Sequence, residues 1–132
     1  MKWNLHAHDT IQTMQQAFQQ FFSHLRPEFY KTAHGVNEAS AKNEQYLHNV
    51  TLRDILPDAE QLNIPIDPSQ TTANFEQMMH TFGLHVQLFR NQRGTWLQTT
   101  QSDSLTLKAQ NDRGRDADSD ILPDTAADVD LV

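Results

Sequence analysis

Trp3, Leu5 and Ala7 alternate with Asn4, His6 and His8 at the start of the chain, the period of two expected of a strand with one buried face. The period then changes. Ile11, Met14, Phe18, Phe21, Phe22 and Leu25 recur three and four residues apart, with Gln12, Gln15, Gln16, Gln19 and Gln20 on the other side. That spacing predicts an amphipathic helix, and Asp9 followed by Gln12 has the form of a capping box at its start. The run LRPEFYKT, from Leu25 to Thr32, is extended again and completes a β-α-β unit.

The same order returns in the second half. LNIPI, from Leu62 to Ile66, reads as a strand, Asp67 and Pro68 as a turn, and Phe75, Met78, Met79 and Phe82 as the apolar stripe of a second helix after Thr72. Gly83 ends that helix. Leu84, Val86 and Leu88 alternate with His85, Gln87 and Phe89, and NQRG turns the chain into the hairpin strand TWLQTT. Superposed, Leu5 falls on Ile66, Met14 on Phe75, Phe18 on Met79 and Phe21 on Phe82. After one inserted residue Leu25 falls on Leu84 and Phe29 on Leu88. The match is of pattern more than of identity, so an internal repeat and two similar solutions to one packing problem both fit it.

Between the halves, AHGVNEASAKNEQYLHN (33–49) has no period and reads as a long loop, and Thr51 with Asp54 reads as a capped turn of helix ended by Pro57. Ser104, Leu105 and Leu107 predict a short closing helix. Two β-α-β units sharing one sheet give an α+β two-layer sandwich, with ferredoxin-like strand order the expected arrangement. Pro65 conflicts with that order, which makes the third strand central, because proline is normally restricted to edges and bulges.

Charge divides the chain. Residues 112–132 hold seven Asp against Arg113 and Arg115, a balance of −5, whereas residues 1–111 hold ten acids and eight bases, a balance of −2. From Asn111 onward there are too few apolar groups to offset the entropy of ordering, so the expected organisation is one domain over 1–111 and a disordered acidic tail over 112–132. The overall charge of −7 argues against a nucleic-acid partner. With no cysteine, disulfides and thiolate chemistry are excluded. The polar N-terminus and the lack of a long apolar run imply no signal peptide and no membrane span, hence a cytoplasmic protein.

FGLHVQLFR, TWLQTT and TLKAQN, together with the N-terminal LRPEFY unit, give residues 1–111 a resemblance to a family of short uncharacterised bacterial proteins, a domain of unknown function. The resemblance rests mostly on core positions and implies a discrete domain. It implies no activity, cofactor or catalytic residue.

Signatures of common catalytic sites are absent: no phosphate-cradling Gly-rich loop, no G-x-S-x-G, no H-E-x-x-H. Seven histidines are many for such a domain. His6 and His8 share the strand face opposite Leu5 and Ala7, and His85 has the same relation to Leu84 and Val86. With strands one and four adjacent, the three imidazoles would converge as ligands for zinc, nickel or copper. His34 and Glu38 belong to the long loop. Either Trp96 or Leu97 faces outward from its strand, and an outward Trp96 beside Phe89 and Tyr30 would form an aromatic patch fit for a protein partner. Asp116, Asp118 and Asp120 copy the first acids of a calcium loop, but Ile121 and Ala127 stand where its Gly and Glu are needed. The expected function is a non-enzymatic interaction or accessory domain that docks a partner on an open sheet face or an edge strand. The alternative is a metal- or small-ligand-binding domain using the histidines.

Overall fold

The computed structural model describes residues 1–33 and 42–119. His34, Glu38 and the tail from residue 120 lie outside the described residues. The elements are β1 (Lys2–His6), α1 (Ile11–Phe18), β2 (Leu25–Tyr30), α2 (Leu52–Ile55), β3 (Gln61–Pro65), α3 (Thr72–Thr81), β4 (His85–Gln92), β5 (Thr95–Gln98) and α4 (Leu107–Ser119).

Local signals explain most of them. Trp3 and Leu5 are buried and their neighbours in β1 exposed, as the alternation requires. α1 is capped by Thr10, whose hydroxyl accepts the Thr13 N–H, while the Asp9 carboxylate accepts the His6 N–H at 2.9 Å. The cap therefore sits one residue later than Asp9. α1 also ends at Phe18, so Phe22 enters the core from a turn and Leu25 opens β2. Thr71 caps α3 through the Asn74 N–H, and Gly83, at φ +87°, terminates it. Arg93 and Gly94 both have positive φ, the requirement of the tight turn that matches strand twist in the β4–β5 hairpin.

The strands form two antiparallel sheets, one of β1 and β3 and one in the order β2-β4-β5. This α+β arrangement is not the ferredoxin-like one, because β1 and β4 belong to different sheets and β3 is not central. In a two-stranded ribbon both strands are edges, which removes the objection raised by Pro65. Pro27 also lies on an edge strand, where its carbonyl accepts the side-chain N–H of Gln15 at 2.7 Å.

Corresponding positions make corresponding bonds in the two halves. The Ile11 N–H donates to Val50 O and the Thr72 N–H to Leu105 O; Leu52 donates to Asp9 and Leu107 to Gln70; Arg53 donates to Ala7 and Lys108 to Pro68, all at 2.8–2.9 Å. Thr10 bridges Thr51 as Thr71 bridges Thr106. Trp3 pairs with Ile64 in β1–β3, and Glu28 with Gln87 in β2–β4.

The core gathers around Trp3, which lies edge-on to Phe18 with ring centroids 5.0 Å apart and donates its indole N–H to Met14 O at 2.9 Å. Phe18 in turn meets Phe75 at 5.5 Å, joining α1 to α3. Phe82 is only half-buried.

The boundary drawn at residue 111 falls inside α4, which continues to Ser119 with Leu107, Gln110, Gly114 and Ala117 buried. The reason is close approach rather than bulk. A side chain at Gly114 would collide with the Asn91 carbonyl and press on His24 and Arg90. Asp118 at the far end takes His24 Nε2 at 2.6 Å and the Arg93 N–H at 3.1 Å. A helix held by small residues and polar bonds shows none of the large apolar spacing that marks α1.

Candidate functional site

The register puts Arg26, Glu28, Tyr30, Gln87, Phe89 and Trp96 on the face of β2-β4-β5 opposite Leu25, Phe29, Val86 and Leu88. This face is not open at its centre. Glu28 is 1% exposed, Gln87 fully buried and Tyr30 2% exposed. A buried carboxylate needs donors, and among the described residues Glu28 has two, with a guanidinium beside them. His48 Nε2 lies 2.9 Å away, Gln45 Nε2 3.0 Å, and Arg26 Nε 2.8 Å as an ion pair whose N–H is not aimed at the oxygen. The Tyr30 hydroxyl donates to Gln45 Oε1 at 3.3 Å. Burial, reinforced by the Glu28 charge, pushes the Tyr30 phenol well above its usual range, so it stays a neutral donor. Gln45 belongs to a short segment that pairs with the outer side of β2: Lys31 N–H donates to Glu44 O and Tyr46 N–H to Phe29 O, both at 2.9 Å. The Glu28 cluster thus fastens residues 44–48 to the sheet. It also removes Tyr30 from the expected exposed aromatic patch.

Trp96 and Phe89 are half-buried. The Arg26 guanidinium lies 4.3 Å over the Trp96 ring, a cation–π contact. Leu97, on the opposite face, is the more outward of the two candidates at 39% exposure.

The histidines are distributed differently from expectation. His6 is exposed on β1 and His8 in the turn after it, whereas His85 begins β4 in the other sheet, so the pairing that would bring all three together does not form. Among the described residues no group of three or more metal-capable side chains is assembled. His85 instead meets His80, with Nδ1 to Nδ1 at 3.1 Å. The return from α3 through Gly83 into β4 brings them together, a proximity legible in the sequence as two histidines flanking a helix stop. His24 Nδ1 lies 3.0 Å from Ser23 Oγ, its Nε2 meets Asp118, and its backbone N–H donates to Asn111 Oδ1 at 2.8 Å, which makes this set the fastening of α4 onto the start of β2.

The docking of α4 creates one feature that the sequence reading missed, having assigned 112–132 to a tail. An open recess of about 590 Å³ lies between the β4–β5 hairpin and α4, lined by Arg90, Arg93, Arg113, Asp112 and Asp116 among others. The signal available was the spacing of Leu107, Gln110, Gly114 and Ala117 at three and four residues, one face of a helix. A smaller depression of about 200 Å³ is formed by Lys42 and the Gln45–His48 segment.

No helix among the described residues is long and apolar enough to cross a membrane. The chain matches no protein-family model, and neither curated proteins nor solved structures contain a significant match to it.

Proposed function

We propose that this domain is a non-enzymatic interaction module that adds an extended segment of a protein partner to the outer edge of β5. The edge itself carries the reading. β4 occupies the inner side of β5, and among the described residues no backbone group bonds the outer side of Thr95, Trp96 or Leu97. Strand addition draws affinity from such main-chain groups and specificity from the side chains beside them. Here those are exposed Leu97 on one face and Trp96, steadied by Arg26, on the other. The other margin of the sheet differs, because residues 44–46 already pair with β2.

The test compares two exposed leucines. A partner that co-purifies with the native chain is expected to be lost with Leu97→Asp and kept with Leu47→Asp, both variants being folded by circular dichroism. Equal retention by the two would sink the edge-docking reading.

A second reading, metal binding, keeps His85 but replaces His6 and His8 with His80. Two imidazole nitrogens on one zinc at ~2.0–2.1 Å sit roughly 3–3.4 Å apart, close to the separation of the His80 and His85 Nδ1 atoms. Zinc should then raise the melting temperature of the wild type but not of His80→Gln. A rise that persists in His80→Gln would exclude this pair.

A further inference from the structure

The chain has six arginines, and they fall into two groups. Arg26 pairs with Glu28, Arg53 with Glu60, and Arg115 with Asp112 and Asp116. Among the described residues, Arg90, Arg93 and Arg113 have no carboxylate within ion-pair distance, and these three line the same recess against α4. The acids lining it are already engaged: Asp112 by Lys108 at 2.7 Å and Arg115 at 3.1 Å, and Asp116 by Arg115 at 3.5 Å. In a protein of net charge −7, the lining of this recess thus holds three arginines against two carboxylates.

The recess is built, not incidental. Arg90 extends from β4 and is fixed by Gln110 Oε1 at 2.7 Å, by Gln92 Oε1 at 3.1–3.2 Å and by Ser102 Oγ at 3.4 Å, so that Nε, Nη1 and Nη2 all donate within the protein. Arg93 sits in the hairpin turn and lines the recess, its Nε donating to the Ala117 carbonyl at 3.3 Å. Arg113 comes from the exposed side of α4. Arg90 feels partial burial first and the Arg113 charge second, both lowering its pKa from the ordinary arginine value, so the two guanidiniums repel across this space. An anion between them relieves that repulsion.

We propose that this recess binds a small phosphorylated molecule, its phosphoryl oxygens held by the guanidinium groups of Arg93 and Arg113, with Arg90, already bonded to Gln92, Gln110 and Ser102, adding its charge. Guanidinium forks match phosphoryl oxygens in bidentate geometry, and a volume of about 590 Å³ falls in the range of small-molecule sites. The site is made of side chains from three elements, so it needs no Gly-rich phosphate loop.

The experiment is calorimetric titration of the full chain with pyrophosphate at low ionic strength, repeated with citrate. Pyrophosphate is expected to bind one to one and more tightly than citrate. Arg93→Gln and Arg113→Gln are each expected to weaken it at least ~10-fold, the scale of one charge-assisted contact. Arg53→Gln, a cation already paired with Glu60, serves as the control and should bind as the wild type does. Arg93 and Arg113 are exposed, and unchanged melting temperatures will show that the variants remain folded. No binding at millimolar pyrophosphate, an equal loss in Arg53→Gln, or tighter binding of citrate would each overturn the proposal.

Discussion

α2 and α4 leave from matching positions in the two halves and end very differently. Thr51 and Thr106 each precede a helix, and the first N–H groups of each helix reach back to the turn after the first strand of their half. α2 lasts four residues. Leu56 precedes Pro57, which disfavours the helical region, and Leu56 takes φ −127° and ψ 86°. α4 meets no proline and runs thirteen residues, laying Gly114 and Ala117 against the end of β4. The same start is thus a packing solution used twice, whereas the continuation of one copy builds the recess with Arg113 on its wall. Difference in chemistry arises where the two halves stop corresponding.

The largest effects should come from the shared core. Phe18→Ala removes the ring that joins Trp3 to Phe75 and is expected to cost ~3–5 kcal/mol in urea unfolding; Met79→Ala, its counterpart, should cost ~2–5 kcal/mol. A loss below ~1 kcal/mol at either position would show that the halves do not share the core equally. Next comes the contact that has no counterpart. Gly114→Ala gains helix propensity but drives a methyl into the Asn91 carbonyl, so the net expectation is a loss of ~1–3 kcal/mol. A stabilised Gly114→Ala variant would mean that α4 does not rest on β4.

The caps sharpen the comparison. Thr51 and Asp54 form a reciprocal box, whereas the Thr106 hydroxyl accepts only the Ala109 N–H at 3.0 Å. Thr51→Ala should cost about 1 kcal/mol and Thr106→Ala less, measured by the same unfolding series. Equal costs would deny the reciprocal bond its contribution. The smallest effect is a pH dependence. The His24 ring bonded to Asp118, and then the Arg93 N–H, hold the Asp118 carboxyl below its usual value; the Thr51 backbone N–H does the same for Asp54. Both carboxyls bind their proton more readily in the unfolded chain, so their contribution is fully present above the ordinary value of ~3.8 and is lost as pH falls through the lower folded one. Asp118→Asn and Asp54→Asn should each flatten the acid limb of a melting-temperature titration below about pH 4. An unchanged acid limb in Asp118→Asn would show that the carboxyl contributes nothing to holding α4.

By itself, the sequence determined the local elements. Alternation at Trp3, Leu5 and Ala7, the apolar stripes of α1 and α3, the positive-φ stops at Gly83 and Gly94, and the cap at Thr51 all depend on groups within a few residues of one another, where sterics and side-chain period act directly. Only the tertiary structure decided which strands pair, because β1 meets β3 and β2 meets β4 across some sixty residues of chain, and period alone does not choose among edges of similar pattern. It also decided that Glu28 is buried, that His85 meets His80 rather than His6 and His8, and that α4 continues past Asn111. Each of these depends on a partner distant in sequence: Gln45 and His48 for Glu28, the chain reversal at Gly83 for His85, and the Asn91 carbonyl for Gly114. Charge composition marked residues 112–132 as unable to build a core, yet the first part of that stretch needed none, because a glycine and an alanine let it rest on one already built.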